Sequence, residues 1–390
     1  MAQTKLSCFW NKPDVAWDYQ AAVSLHSHTN CSKESLGFIQ EFAQRSPILR
    51  WALERQYRRS RVPVDLTTAY WTPPLSPKLA FEAERNQIEN VLGLKGLVAL
   101  TDHDSIEAPS LLRMVEGSRE IPFSLEWSVP FGEAIFHLGV HNLPNHSVNG
   151  IVAELAAYTQ DPSSRNLSEL IAMLDQFPEV LVIFNHPLWD LRGLGRKQFD
   201  LALDQFLESN ARFLHAFELN ATRGWKENNK VILLADRWQS LIISGGDRHG
   251  CEPSAALNLT RAQSFPEFVY EIRQERRSHV LFMPQYAEPM CMRTTQTLLD
   301  VIRDYPENPA GSQRWDERVF HPDHITHLDR PVSTYWDCPP AFLTRIFSAI
   351  QVFENATLHR TMANLLRGEV ELADIAETEV PSEVAIEATL

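Results

Sequence analysis

Five short segments carry residues that could bind metal ions together. The first, Leu25-His26-Ser27-His28, closes an apolar run. Alternate side chains of a β-strand share a face, so His26 and His28 can enter one pocket. The second, Thr101-Asp102-His103-Asp104, sets a histidine between two carboxylates. A carboxylate that accepts the far ring N–H of a ligating histidine fixes its tautomer and basicity. Asp104 also has capping-box spacing to Glu107, so it can instead serve the start of a helix. The third segment pairs Glu126, between Leu125 and Trp127, with His137, between Phe136 and Leu138. An unpaired carboxylate buried in such a strand is costly, which implies a cation or a strong partner. The fourth is Asn185-His186-Pro187, and the fifth is Gly245-Gly246-Asp247-Arg248-His249-Gly250. The glycines of the fifth allow close backbone approach to a ligand. Each segment has an ordinary alternative, such as a capping histidine or a satisfied core histidine. Their succession along one chain sets them apart.

These residues must be positioned by the elements around them. Short apolar, β-rich runs at 21–26, 96–101, 121–127, 134–140, 180–185, 215–219 and 241–244 read as strands. Helical spacing occupies 166–176, 197–208 and 226–238, and Ser76-Pro77 supplies an N-cap and first-turn proline for a helix through Val91. Strand and helix in alternation predict a parallel sheet. No GxGxxG or GxxxxGK[ST] motif occurs, whereas almost every strand ends in His, Asp or Glu. Polar residues at the carboxyl ends of several strands are the pattern of an α/β barrel. Two parts interrupt the alternation. Residues 38–77 form an insertion after the first strand, with Trp71-Thr72-Pro73-Pro74 as a turn or lid. Residues 286–368 form a mostly helical extension, with helical segments at 294–303, 342–354 and 356–366, before an acidic tail at 369–390. The expected organisation is thus a catalytic unit over 1–285 followed by the extension and the tail.

Composition bounds the function. The chain has 390 residues with 44% hydrophobic, 10 Trp and 20 Phe, enough for a large core. Its net charge of −14 argues against a general nucleic-acid binder, whose affinity comes from clustered cations facing phosphates. A local exception is residues 50–61, where five arginines alternate with Trp51 and Tyr57. This stretch is either a polyanion contact or the solvated face of a helix, and the second reading is favoured. Cys8, Cys31, Cys251, Cys291 and Cys338 lack CxxC spacing and suit reduced thiols. Apolar runs fall far short of the ~20 residues of a membrane span. Residues 1–20 include Asp14 and Asp18 and lack the plan of a secretory signal, so a cytoplasmic location and no membrane partner are expected. The histidines of residues 321–327 read as a loop without a metal role.

Taken in order, the HxH, the TDHD, the isolated Glu, the FHxLG strand, the HP pair and the GGDxH element resemble the polymerase and histidinol phosphatase (PHP) family of metal-dependent phosphoesterases. The resemblance covers roughly residues 21–260. It implies a distorted (β/α)7 barrel holding two or three divalent metal ions. It also implies that His26, His28, His103, Glu126, His137, His186, Asp247 and His249 are ligands. The family places Asp or His five or six residues after the second HxH histidine, where this chain has Lys33 and Glu34. Glu34 is taken as the ligand, with Lys33 facing outward or toward a substrate phosphate. Imidazoles with a few carboxylates suit zinc, manganese or iron better than magnesium or calcium. The implied reaction is hydrolysis of a small phosphate monoester or nucleotide by metal-activated hydroxide. Asp247 would be ligand and proton acceptor, and His249 or Asp102 would relay a proton to the leaving alcohol. Arg192, Arg223 and Arg248 are candidate phosphate-binding cations. Two other readings are hydrolysis of an amide or ester at the same metals, and a non-catalytic metal-stabilised binding protein.

Overall fold

The structure is a computed structural model that describes residues 3–36, 51, 55, 68–115, 120–306, 313–323, 328–335, 339 and 341–352. Along the chain, β1 (Gln3–Cys8) and β2 (Ala21–Ser24) precede the two-residue strands β3 (Glu34–Ser35) and β4 (Tyr70–Trp71). Helix α1 (Pro77–Gln87) leads to β5 (Lys95–Val98), and α2 (Glu107–Arg113) leads to the hairpin β6 (Leu125–Phe131) and β7 (Ala134–His141). Next come α3 (Val148–Gln160), α4 (Leu167–Asp175), β8 (Leu181–Asn185), α5 (Arg196–Asn210), β9 (Ala216–Asn220), α6 (Trp225–Arg237) and β10 (Leu241–Gly245). β11 (Ala256–Thr260), α7 (Phe265–Arg273) and β12 (Arg277–Phe282) follow. The last elements are α8 (Met290–Ile302), β13 (Val319–Pro322), β14 (Asp329–Pro331) and α9 (Ala341–Gln351).

Local chemistry accounts for several of these boundaries. The Ser76 hydroxyl accepts the Leu79 N–H and Pro77 occupies the first turn of α1, which satisfies an orphan donor where proline costs nothing. Asn166 caps α4 through the N–H groups of Ser168 and Glu169. A π-helical turn, Ile88–Leu92, ends at Gly93 with φ 68, a left-handed conformation that glycine adopts without strain. Asp104 does not cap α2. Its carboxylate accepts the Ser128 N–H on β6 at 2.8 Å, and the N-cap of α2, Ile106, makes no side-chain cap bond.

The strands form two five-stranded sheets, ordered β1-β12-β11-β2-β5 and β10-β9-β8-β7-β6. The expected all-parallel pairing is corrected: β11 is antiparallel to both neighbours, and β7 is antiparallel to β6 and β8. The β6–β7 hairpin needs no crossover, which is why alternation failed to reveal its direction. Between the sheets lies an apolar interior that includes Val23, Leu25, Ala99, Ile183, Ala216 and Ile243, packed against Phe265, Phe268 and Ile272 of α7. Helices α3 to α6 cover the outer face of the second sheet, where Phe136, Phe184 and Phe206 pack ring against ring. Isolated bridges join the sheets at Ser27–Arg248 and His103–Glu126. Between β10 and the β1–β12 pair the link is made by side chains: Ser278 Oγ on β12 donates to Ile242 O, and Ile242 N donates to Thr4 Oγ1 on β1. Among the described residues the ladder is therefore not a closed barrel, and mixed α/β is the architecture shown.

The Trp71 region is not a lone turn. β3, β4, β13 and β14 make a four-stranded sheet in the order β14-β13-β4-β3, so the extension pairs with the segment that carries Glu34. No helix of the described residues is long and apolar enough to cross a membrane. Most of the 38–67 insertion, including the arginine-rich stretch apart from Trp51 and Arg55, lies outside the described residues. So do residues 324–327, the 356–366 segment and the acidic tail.

Candidate metal centre

The candidate ligands sit where the strands end. His26 and His28 follow β2, His103 follows β5, Glu126 and His137 lie on β6 and β7, His186 follows β8, and Asp247 and His249 follow β10. Backbone bonds hold these ends together: His28 N donates to Arg248 O, and Thr101 N to Ser27 O, both at 2.9 Å. Gly245 is required by space, since a Cβ there would lie 1.6 Å from Glu218 Oε1 and 2.8 Å from His26 Cβ. His186 and Asp247 have positive φ, 27 and 48. Such conformations cost energy in non-glycine residues and persist where the surroundings over-determine them.

Five imidazoles close into a ring. Centroid separations run His26–His28 5.0, His28–His103 4.9, His103–His137 4.7, His137–His186 5.1 and His186–His26 5.9 Å. The Glu126 carboxylate stands within 3.4 Å of a nitrogen from each of them. Its Oε2 faces His26, His28 and His103, while Oε1 faces His137 and His186 and accepts from Asn185 Nδ2 at 2.9 Å. His249 stacks on His28 at 4.2 Å, outside the ring. Glu34 Oε2 joins it to the ring, 3.2 Å from His249 Nε2 and 3.3 Å from His103 Nε2. Asp247 Oδ1 lies 3.8 Å from His26 Nε2 and 3.7 Å from His28 Nε2. The nine candidate ligands fall into four overlapping groups, and in each group the ligand atoms lie within 4.8 Å of one another.

The donors fit divalent cations by geometry. His26 Nε2 and His28 Nε2 face each other at 3.0 Å, and His137 Nδ1 and His186 Nε2 at 3.3 Å. Bare imidazole nitrogens repel at that range unless a proton or a cation lies between them. Ligand atoms each ~2.1 Å from a shared cation sit ~3.0 to 3.4 Å apart, which matches these separations. His103 Nδ1 is buried without a hydrogen-bond partner, 3.4 Å from Glu126 Oε2.

Electrostatics points the same way. Burial alone would raise the carboxyl groups, yet the surrounding imidazoles hold Glu34, Glu126 and Asp247 well below the usual range. Burial would lower the histidines, but Glu126 and Glu218 keep His26 well above its ordinary value, and Glu34 and Glu126 raise His103 to about 10. At His137 burial wins, and the imidazole falls to about 4. The site thus concentrates anions that draw positive charge onto buried ring nitrogens.

A surrounding layer orients the donors, and much of it escaped the sequence reading. His26 Nδ1 donates to Glu218 Oε1 at 2.6 Å, leaving Nε2 toward Glu126. Glu218 Oε2 also accepts the His186 N–H at 2.7 Å. Asn220 Nδ2 holds Asp247 Oδ2 at 3.0 Å, and Ser32 Oγ donates to Glu34 Oε1 at 2.6 Å. Such partners fix tautomer and rotamer. The signal for Glu218 was available, since it interrupts an apolar strand between Phe217 and Leu219 as Glu126 does between Leu125 and Trp127.

Four of the expected residues have other partners here. Asp102 is fully buried and accepts both the N–H and the hydroxyl of Thr29, at 2.6 and 2.7 Å. It braces the turn after His28. Arg248 is buried against Glu84 at 2.9 Å, with Ser27 Oγ and Gly250 O as further partners. Lys33 turns away to Asp329 at 2.8 Å. Arg192 donates to the Glu133 carbonyl on the β6–β7 turn. Arg223 differs from these. Its guanidinium lies 3.9 Å over the Trp189 ring, which is edge-on to His186 at 4.9 Å, and its Nε is buried without a hydrogen-bond partner.

No protein-family model and no curated protein matches the chain. Among solved structures it is similar to an amidohydrolase from Chromobacterium violaceum with bound sulfate and no metal, at 14% identity over 58% of this chain and 87% of that one, with a TM-score of 0.36. It is also similar to a candidate metal-dependent phosphoesterase from Bifidobacterium adolescentis, at 15% identity over 51% of this chain and 91% of that one, with a TM-score of 0.33.

Proposed function

We propose that the chain is a metal-dependent phosphoesterase of the PHP kind, on a distorted barrel, that hydrolyses a small phosphate monoester or nucleotide. The observation that carries the reading is the buried ring of five imidazoles around the Glu126 carboxylate, flanked by Glu34, Asp247 and His249. The donor set suits zinc, manganese or iron. Two or three such ions would supply Lewis acidity toward a phosphoryl oxygen and lower the pKa of water.

The chain's own residues have definite tasks. Glu126 reaches both halves of the ring through its two oxygens, so it can bridge neighbouring ligand groups. Asp247 has Oδ2 committed to Asn220, and its Oδ1 faces the ring as proton acceptor. His249 donates its Nδ1 proton to Asp247 O at 3.0 Å, which turns Nε2 toward Glu34 as a donor. Proton delivery to the leaving alcohol, its other expected task, would require Nε2 to be protonated rather than bound to a metal. Arg223 supports the phosphate reading, because a guanidinium held over Trp189 beside His186, with Glu227 3.8 Å from its Nε, is oriented before an anion arrives.

A release assay tests the reading. Protein reconstituted with zinc, manganese or iron should liberate phosphate from at least one of a panel of sugar phosphates, amino-alcohol phosphates, mononucleotides and short oligonucleotides. His103→Ala combined with Asp247→Ala should abolish that turnover. Turnover confined to amides or carboxylic esters would replace the phosphoesterase assignment with the amidohydrolase one.

A further inference from the structure

The segment after the two sheets touches three loops that carry or support the candidate ligands. On α8 the buried carboxylate of Asp300 accepts the Cys251 N–H at 2.7 Å, two residues past His249. A Cβ on Gly250 would lie 2.7 Å from the same oxygen, so helix and loop are in direct contact. Gln296 Nε2 donates to the other Asp300 oxygen at 3.0 Å. Arg293, also on α8, donates to the carbonyls of Ala221 and Arg223, just beyond the Asn220 that holds Asp247. The buried guanidinium of Arg318 joins the end of α8 to the start of β13 through the carbonyls of Val301 and Arg303. β13 in turn pairs with β4, and β4 fixes Glu34 opposite Trp71.

We propose that residues 290–306 and 313–322 contribute the positioning frame of the metal centre, and that Asp300 is a positioning residue acting through His249. The physical need lies in the loop itself. Asp247 is held at a positive φ, a conformation maintained only by contacts that leave the backbone no alternative. A carboxylate accepting a backbone N–H is a strong, directional contact. Asp300 places it directly after the ligand pair, from an element that lies outside the run of residues resembling the family. The inference rests on the metal-centre reading, and its test separates the two.

The test uses the full chain, with zinc titrated against a chromophoric chelator, and circular dichroism and metal-free unfolding recorded in parallel. Asp300→Ala should weaken zinc binding by ~10 to 100-fold, the cost typical of losing an outer partner of a metal ligand. Asp300→Asn retains an oxygen acceptor for the Cys251 N–H and should stay within about threefold of wild type. In a His249→Ala background, Asp300→Ala should add less than about twofold, because residues acting in series are not additive. Equal losses in both backgrounds, or unchanged affinity in Asp300→Ala, would overturn the inference. If Asp300→Ala does not fold, Asp300→Ser, whose hydroxyl is too short to reach Cys251, is judged by the same criteria. A wild-type protein that binds no zinc would remove the metal-centre reading itself. Wild-type binding with an unaffected Asp300→Ala would remove only the frame.

Discussion

Replacing Arg248 by methionine keeps the aliphatic stem and removes a buried charge at a place where its worth can be read from the contacts. The guanidinium meets Glu84 Oε1 at 2.9 Å, Ser27 Oγ at 2.7 Å, Gly250 O at 2.7 Å and His28 O at 3.3 Å. The two charged side chains are 4% and 0% exposed. After the substitution the Glu84 carboxylate retains Ser24 Oγ at 2.9 Å and the Ser254 N–H at 3.1 Å, but no cation. Breaking a buried pair from one side typically costs ~3 to 5 kcal/mol, because the remaining charge is stranded. Each carbonyl left without its donor adds about 1 kcal/mol, while the neutral donors at Glu84, from Ser24, Ser27 and Ser254, offset part of the loss. The expected change for Arg248→Met is therefore ~3 to 5 kcal/mol. Urea unfolding at pH 7 in excess chelator, followed by circular dichroism, measures it without metal. Arg248→Met with Glu84→Leu should recover most of the loss, since replacing a whole buried pair with apolar groups is often neutral. A single-variant loss below about 1 kcal/mol, or a double variant no better than the single, would refute the reasoning.

Three further outcomes follow from other contacts. Gly245→Ala must displace Glu218 from His26, so it should cost at least ~1 to 3 kcal/mol and lower metal stoichiometry, read by calorimetry and elemental analysis. Burial, aided by Lys5 and Lys12, lowers His279 to about 4. The unfolded chain therefore takes up a proton before the folded one does. This contribution is full above pH ~6.5 and is lost as pH falls toward 4, by up to ~3 kcal/mol. A His279→Gln variant should lack that part of the decline in a pH series of unfolding curves, and parallel curves for both proteins would contradict it. Lys33→Met should leave KM within about twofold and stability within about 1 kcal/mol, because its partner Asp329 is an exposed tie. A large rise in KM would return Lys33 to the substrate.

What the sequence disclosed and what it hid differ by the reach of the interactions. The candidate ligand positions were legible because His, Glu and Asp interrupt apolar strands, where only a strong partner makes them tolerable. The α1 and α4 boundaries were legible because caps act over two or three residues. Pairing direction was not, since β7 carries the same apolar run whichever way its neighbours point, and β11 was not among the runs read as strands. Strand β11 also hides Asn258, whose amide joins the sheets through Ser244 N and O. Arg248 read as a phosphate cation because its partner Glu84 is 164 positions away. The partner of Lys33 was hidden in the same way, with Asp329 296 positions distant. The role of the extension was equally hidden, because Asp300 and Arg293 look like ordinary helix-surface charges until the loops they hold are brought beside them.

The central claim is that the imidazole ring around Glu126 holds divalent metals. An anomalous difference map from crystals loaded with zinc or manganese, recorded on both sides of the metal edge, tests it most directly. The account expects at least two peaks, each ~2.0 to 2.3 Å from nitrogens of the ring and from oxygens of Glu126, Glu34 or Asp247. Crystals soaked in saturating metal that show no peak among His26, His28, His103, His137 and His186, or peaks only elsewhere, would contradict it.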